Sequence, residues 1–547
     1  MATRNCLLVA LALAVFALRM VGIDSGLPHH CEPDVLLVPH AAWLARPAGV
    51  DEFGPLWGSS GFYPQFLPWL IAVLPGESFI SVLDPSASLE AHLASLGNPY
   101  LKARVVIALL SALAIPSSFF LARRIAGESW AWAAALLTAT SLLLTNYSQQ
   151  ARPHAALAGL FTLALVCILR LQERQRLLDH ALAGLTCGLA AATLHTGVFA
   201  AGAYVMFLLL DRLRHWRAGL LGLCIVVNCV LASYWNILIA GLAPGEQGGV
   251  SLGGQDINLA LFTGRGFADM ARNLLGYEPM LCALVVLAAL LWTVRPERLS
   301  RASIVLLCAG LPFVLLFGLR NVAESRFFVS LIPLLSVWAA WGMQQFQERW
   351  VLGSRVAVPL FIVALLPGLD VCVRLVWLRS QGESLQHAAD WLVNHANREQ
   401  DVIGVQPTFA LPLFNRRENL ERMHPRFRHI WDHYQVALGA QPRGCWDLRA
   451  IAREEWWRTS PADAVARFAR EEGLTLGIGV VPTARARGGN QVLQGLRASG
   501  QPVWRQFPFD ESQDELSASA WEFGSKAWLK VWTSQSWGHP VEIVRIE

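Results

Sequence analysis

Residues 61–74 read GFYPQFLPWLIAVL, and whether this stretch crosses a membrane or lies along one decides the topology of the whole chain. It is apolar enough to cross, but it is short and holds Pro64 and Pro68, each of which removes a backbone donor. A hydrocarbon layer about 30 Å thick takes about 20 apolar residues to span. Better candidates are residues 6–22 and the runs near 101–122, 129–147, 155–170, 180–196, 197–211, 218–240, 279–294, 303–319, 327–346 and 355–373. Arginines mark every second connection between them: Arg123 and Arg124; Arg170, Arg174 and Arg176; Arg212, Arg214 and Arg217; Arg295, Arg298 and Arg301; Arg349 and Arg355. The positive-inside rule makes those connections cytoplasmic. Counting 61–74 as a span would put all of them outside. It therefore reads as a juxtamembrane helix in the interface, with Tyr63 and Trp69 at headgroup level, which leaves about eleven spans.

The composition belongs to such a protein. Of 547 residues, 54% are hydrophobic and 15% charged, with a mean hydropathy of +0.40, whereas a soluble domain carries about 25% charged residues. The net charge of +4 says little, because placement of Lys and Arg matters more than their sum in a membrane protein; no nucleic-acid partner is expected. Ten cysteines show no metal-ligand spacing and no dense framework, and only Cys31 and Cys445 fall in aqueous regions. Residues 6–22 read as a retained first span, since no small-x-small cleavage site follows.

The intervening connections, 146–153, the turn His195-Thr196-Gly197, 241–277 and 320–326, share the outer side with the 23–100 loop. Within 241–277 the first half is Gly-rich and 262–275 reads as a second interfacial helix. After Arg379 the chain turns charged and Trp-rich. Residues 384–398 have helical spacing and 401–405 a short β run; Ser460-Pro461-Ala462-Asp463 opens a helix to Glu472. A strand over 474–481, a helix over 491–499 and a strand over 541–546 follow. The expected architecture is a polytopic α-helical membrane module, residues 1–380, and a small C-terminal α/β domain, 381–547, on the non-cytoplasmic side.

Chemistry is expected at the outer mouth. His29-His30-Cys31-Glu32-Pro33-Asp34 puts two carboxylates beside the first span, and acids there are costly unless they face water, a cation or a substrate. Glu32 and Asp34 also suit capping of a following helix, and the two roles can coexist. Outward-facing cations are Arg152 in Gln149-Gln150-Ala151-Arg152-Pro153-His154, His195, and Arg326 in Glu324-Ser325-Arg326-Phe327. A carboxylate can deprotonate an acceptor hydroxyl, and Arg or His can hold a phosphate. The plainer alternatives are snorkelling for the arginines, structural roles for His154 and His195, solvated loop charges for Asp24 and Glu324, and packing for the Trp residues near 446–457.

The order of a first span, a loop with Pro33-Asp34, a Tyr63-Pro64 juxtamembrane helix, the turn Tyr147-Ser148-Gln149-Gln150-Ala151-Arg152-Pro153, an Arg326-Phe327 start to a late span and a trailing soluble domain resembles the GT-C superfamily. These are polyprenyl-phosphate-sugar-dependent glycosyltransferases, and the likeness, over residues 1–380, is to the branch of protein O-mannosyltransferases and lipid A aminoarabinose transferases. It implies a GT-C fold in a cell membrane of the bacterial inner-membrane type. It also implies transfer of a hexosyl or pentosyl group from a polyprenyl-phosphate carrier to a lipid, glycan or protein acceptor. Asp34 takes the place of the family's catalytic carboxylate, with Glu32 in support; Arg152, His195 and Arg326 would hold the donor phosphate, and His154 and Tyr63 would touch acceptor or donor. Use of a divalent metal is left open. The chain departs from the pattern at Val35, where the family has Glu, at His154, where it has Asp, and at His195, where it commonly has Lys; a literal Asp51-Glu52 comes later in the loop. The competing readings are a lipid or glycan transporter or flippase and a non-catalytic relative. Few polar residues near the midplane and no matching halves speak against transport.

Overall fold

The computed structural model describes residues 2–27, 38, 41, 64–74, 89–242, 251–252, 255–256, 262–294, 300–406, 411–422, 445–451, 462–480, 487–507, 523 and 526–547. Glu32, Asp34 and Tyr63, together with Cys31 and the Asp51-Glu52 pair, lie outside them.

The chain is a polytopic helical membrane protein. In hydrocarbon each backbone N–H and C=O must be satisfied within the segment, which selects helices. Among the described residues, seven stretches are long and apolar enough to cross: Thr3–Met20, Gly97–Ala139, Pro153–Arg170, Trp216–Trp235, Arg301–Leu319, Ser325–Arg349 and Arg355–Ser380. Two further apolar helices, Leu177–Thr193 and His195–Leu210, are shorter. The 43 residues of Gly97–Ala139 are about twice the length one crossing needs. They break at Gly127, whose φ of 74° favours glycine, close to the Arg123-Arg124 connection.

Both stretches read as interfacial contain helices unsuited to crossing. Phe66–Val73 has 8 residues, and Trp69 on it is exposed. Gly266–Tyr277 is amphipathic and meets Pro279–Val294 at 118°, so the pair cannot form one straight span.

The C-terminal part folds around five strands, β1 (Val402–Val405), β2 (Asp447–Ala450), β3 (Leu476–Val480), β4 (Gly500–Gln506) and β5 (Val541–Ile546), in the order β2-β1-β3-β5-β4. The first three are parallel, whereas β5 runs antiparallel to both β3 and β4. Alternation sends Ile403, Ile478 and Ile543 to one face, against Leu385, Ala388 and Leu392 of the Ser384–His395 helix. Val544 faces the other way, towards Val465, Phe468 and Leu496 of helices Ala462–Glu471 and Arg487–Ala498. Trp446 is buried in the first cluster, which gives it a packing role.

Phe523 and the segment 526–537 leave this sheet and join the membrane core: Phe523, Ala527, Val531 and Trp537 pack in the same apolar cluster as the spans. Arg374 clamps the segment by donating to Val531 O (2.9 Å) and Ser534 O (2.7 Å), and Tyr277 Oη accepts from Phe523 N at 2.9 Å. On the Ala527–Thr533 helix, Lys530 shares the buried face with Ala527 and Val531 and is 1% exposed. Burial, then the nearby charge of Lys526, lowers its ammonium from 10.5 to about 7. The unfolded chain thus holds more protons between about pH 7 and 10.5, so folding stability should rise with pH across that window. Lys530→Met should raise the thermal midpoint of the detergent-solubilised protein at pH 7 and flatten its rise towards pH 10. An unchanged pH slope in the variant would show that the buried amine is not the source.

Candidate functional site

The 129–147 run does not stay one helix. It stops at Ala139, and a second helix, Leu142–Ser148, starts after Ser141. Ser141 Oγ accepts from Leu144 N at 3.0 Å. The buried Glu278 carboxylate accepts from Ser141 Oγ at 2.6 Å and from Leu143 N at 2.8 Å. A carboxylate on free N–H groups at a helix start is stabilising, so Glu278 fixes where the short helix begins. Pro153 then opens the next helix in its first turn. The residue before a proline is driven into extended conformation, and Arg152 has φ −120° and ψ 142°. Its side chain is completely buried.

A second segment comes to the same place. Tyr147 Oη and Ser325 Oγ are 2.8 Å apart, at the start of the 3-10 turn Ser325–Leu331 that leads into Ile332–Arg349. Arg326 pairs with Glu324 at 2.5 Å, so Glu324 is a partner within the site and not the solvated loop charge expected of it. The Arg326 guanidinium lies over the Phe327 ring, 5.3 Å from its centroid, a favourable cation–π placement. The Phe327 ring is stacked on Phe317 at 4.4 Å. The His154 imidazole sits between Tyr147 and Phe327, at 6.3 and 6.2 Å, two residues from Arg152 and beside the ring that the Arg326 guanidinium covers. Its Nδ1 has no hydrogen-bond partner among the described residues. Arg152 and His154 therefore converge with Arg326, which lies 174 residues beyond Arg152 in the sequence.

His195 stands elsewhere in the contact network. It forms the first residue of the turn His195–Gly197, and its Nδ1 lies 3.2 Å from Tyr234 Oη, which donates to Ala191 O at 3.0 Å. That bond leaves Nδ1 as the donor to the phenol oxygen and Nε2 as the free acceptor. Among the described residues no hydrogen bond or ring contact joins His195 to Arg152, His154 or Arg326.

Three further buried arginines surround the same mouth, and the sequence reading passed over them. Arg379 donates to Gln149 Oε1 (2.6 Å) and Asn146 Oδ1 (2.6 Å) and stacks on Trp537 at 4.4 Å. Arg104 donates to Ile23 O (2.7 Å) and Ser25 O (2.9 Å). Arg19 donates to Ser111 Oγ at 2.9 Å. For two of them the signal was available: Arg19 and Arg104 are ionisable residues inside apolar runs, a pattern that is expensive and points to a site. Among the described residues no three His, Cys, Asp or Glu side chains come together as metal ligands.

This arrangement defines a membrane protein that presents cationic side chains on short, proline-fixed turns at one end of the helical bundle. Residues 88–235 match the family model described as dolichyl-phosphate-mannose-protein mannosyltransferase, a span that includes Arg152, His154 and His195. Among solved structures, the chain is similar to ArnT from Cupriavidus metallidurans bound to undecaprenyl phosphate, at 14% identity over 99% of this chain and 98% of that one, with a TM-score of 0.49. It is also similar to the apo oligosaccharyltransferase of Archaeoglobus fulgidus, at 11% identity over 91% and 73% with a TM-score of 0.43. A third likeness is to the arabinofuranosyltransferase AftD from Mycobacteria, at 16% identity over 99% and 40% with a TM-score of 0.45. No curated protein sequence matches the chain.

Proposed function

We propose that this chain is an integral-membrane glycosyltransferase that moves a sugar, hexosyl or pentosyl, from a polyprenyl-phosphate carrier to a lipid, glycan or protein acceptor at the outer face. The observation that carries the reading is that the His154 ring, two residues from Arg152, lies 6.2 Å from the Phe327 ring that the Arg326 guanidinium covers, with Arg152 and His154 inside the segment that matches a lipid-phosphate-sugar transferase family. Guanidinium groups pair well with phosphate oxygens. Cleavage of the sugar–phosphate bond leaves negative charge on the carrier, and fixed positive groups stabilise that charge as it develops. Asp34, with Glu32, is assigned as the base that takes the proton of the acceptor hydroxyl as it attacks the anomeric carbon. Tyr63 and His154 are assigned to contacts with acceptor or donor, and His195 to a phosphate contact in which its imidazole is protonated and Nε2–H donates. Metal use is left out of this scheme. The C-terminal sheet is assigned to the extracytoplasmic side of a bacterial inner membrane.

The test is reconstitution of the full chain in proteoliposomes with radiolabelled polyprenyl-phosphate sugars and an acceptor extract. Label should pass from carrier to acceptor only in vesicles whose accessible face carries the 23–100 loop and position 450. Movement of the intact carrier across the bilayer without transfer would make the protein a flippase instead.

A further inference from the structure

We infer that Arg19, on the first span, is a phosphate-binding residue, so that the outer mouth holds its anionic ligand from the first span as well as from the 147–154 turn. The anion's identity as a carrier-lipid phosphate rests on the function proposed above; its chemistry rests on Arg19 itself.

An arginine near the end of a span ordinarily snorkels, with its stem along apolar surface and its head in water. Arg19 does the opposite: it is 0% exposed and turns inward to Ser111 of the Leu89–Ala112 helix. Ser111 Oγ accepts one bond from Nη1, while Nε and Nη2 meet no acceptor among the described residues. A guanidinium carries five donors and is charged at every physiological pH. Burying one with most of its donors unmet is among the costlier arrangements a fold can hold. Such a cost is tolerated where an anionic ligand offsets it.

The position fits a ligand of the same mouth. Gln149, two residues from Ala151 and three from Arg152, donates through Nε2 to Arg19 O (2.9 Å) and Val21 O (2.8 Å), and its Oε1 accepts from Arg379 at 2.6 Å. At Gly22, with φ 66°, a Cβ would come within 2.7 Å of the Arg379 main chain, so the chain leaves the first span pressed against Arg379. Arg19 is thereby built into the scaffold of the turn that carries Arg152. The Nε and Nη2 edge is the one a guanidinium uses for paired bonds to phosphate oxygens.

Two opposed effects separate a ligand-binding arginine from a structural one. An unliganded buried charge destabilises, so Arg19→Met should leave the ligand-free thermal midpoint of the full-length protein unchanged or higher. A ligand that binds the folded protein raises that midpoint in proportion to its affinity. A long-chain polyprenyl monophosphate should therefore raise the wild-type midpoint, with affinity at least tenfold weaker in Arg19→Met and Arg19→Gln. Inorganic phosphate, tested alongside, separates a headgroup from a free anion: an Arg19-dependent rise with inorganic phosphate alone supports the anion site and removes the lipid-donor reading. If Arg152→Ala weakens lipid binding while both Arg19 variants keep wild-type affinity, the inference fails and the donor reading stands. If neither probe raises the wild-type midpoint, both fail. A lowered ligand-free midpoint in Arg19→Met with unchanged affinity in Arg19→Gln would make Arg19 a structural cation and overturn the proposal.

Discussion

Purified Asp34→Asn protein should fold, bind carrier lipid and turn over about 10²–10⁴ times more slowly than the native chain, the range expected when a general base is removed. The substitution keeps side-chain size and most hydrogen bonding and deletes only the basic oxygen. The choice of Asp34 rests on its neighbourhood: it follows Pro33 and lies close behind the first span, whose outer end is held under the 147–153 turn through Gln149 and Arg379. In the sequence Asp34 comes 12 residues after Gly22 at the end of that span, whereas Asp51 and Glu52 lie a further 17 residues along. Glu32→Gln should cost less, because a supporting acid tunes the base without taking the proton. The measurement is single-turnover transfer of radiolabelled sugar. Full activity in Asp34→Asn with loss in Asp51→Asn moves the base to the later pair, and full activity in both removes catalysis from this loop.

What the sequence disclosed and what it hid follow one physical division. Local patterns were readable: the helices within 61–74 and 262–275 and the Pro153 helix start each depend on a few neighbouring residues. The same holds for the buried strands β1, β3 and β5, whose apolar runs were visible in the chain. The two strands the reading missed, Asp447–Ala450 and Gly500–Gln506, are the two edges of the sheet. Edge strands need not alternate, and β4 carries Pro502 with a register shift beside it, a placement that only an edge tolerates. The break of the 129–147 run is hidden for another reason. Ser141 begins a helix there because Glu278, far along the chain, supplies the acceptor. Likewise, the membrane-side packing of 526–537 depends on Arg374 and Tyr277, partners that no local window contains. In the site, the placement of Arg152 and Arg326 near one another was expected from the shared side of their connections. The role of Glu324 was not, because an exposed-looking loop acid gives no local sign of its partner.

Arg152→Ala should weaken polyprenyl monophosphate binding more than any other single change to the mouth. Arg152 is fully buried, and Pro153 and the short helix before it leave its backbone little freedom, so its guanidinium is positioned before the ligand arrives. A charged hydrogen bond of this kind is worth about 1.5–3 kcal/mol, which is about 10- to 150-fold in dissociation constant, and a paired bond to phosphate sits at the upper end. Arg326→Ala should cost less. Its guanidinium already spends part of its charge on Glu324 and on the Phe327 face, and it is 18% exposed, where water screens it. The measurement separates the two roles: if both were interfacial anchors, lipid affinity would move with neither. Arg152→Lys keeps the charge but loses the planar fork, so it should recover only a small part of the loss. Isothermal titration with the carrier lipid, on variants first matched for thermal midpoint, measures all three. Equal affinities across Arg152→Ala, Arg326→Ala and native protein would take the donor phosphate away from this turn.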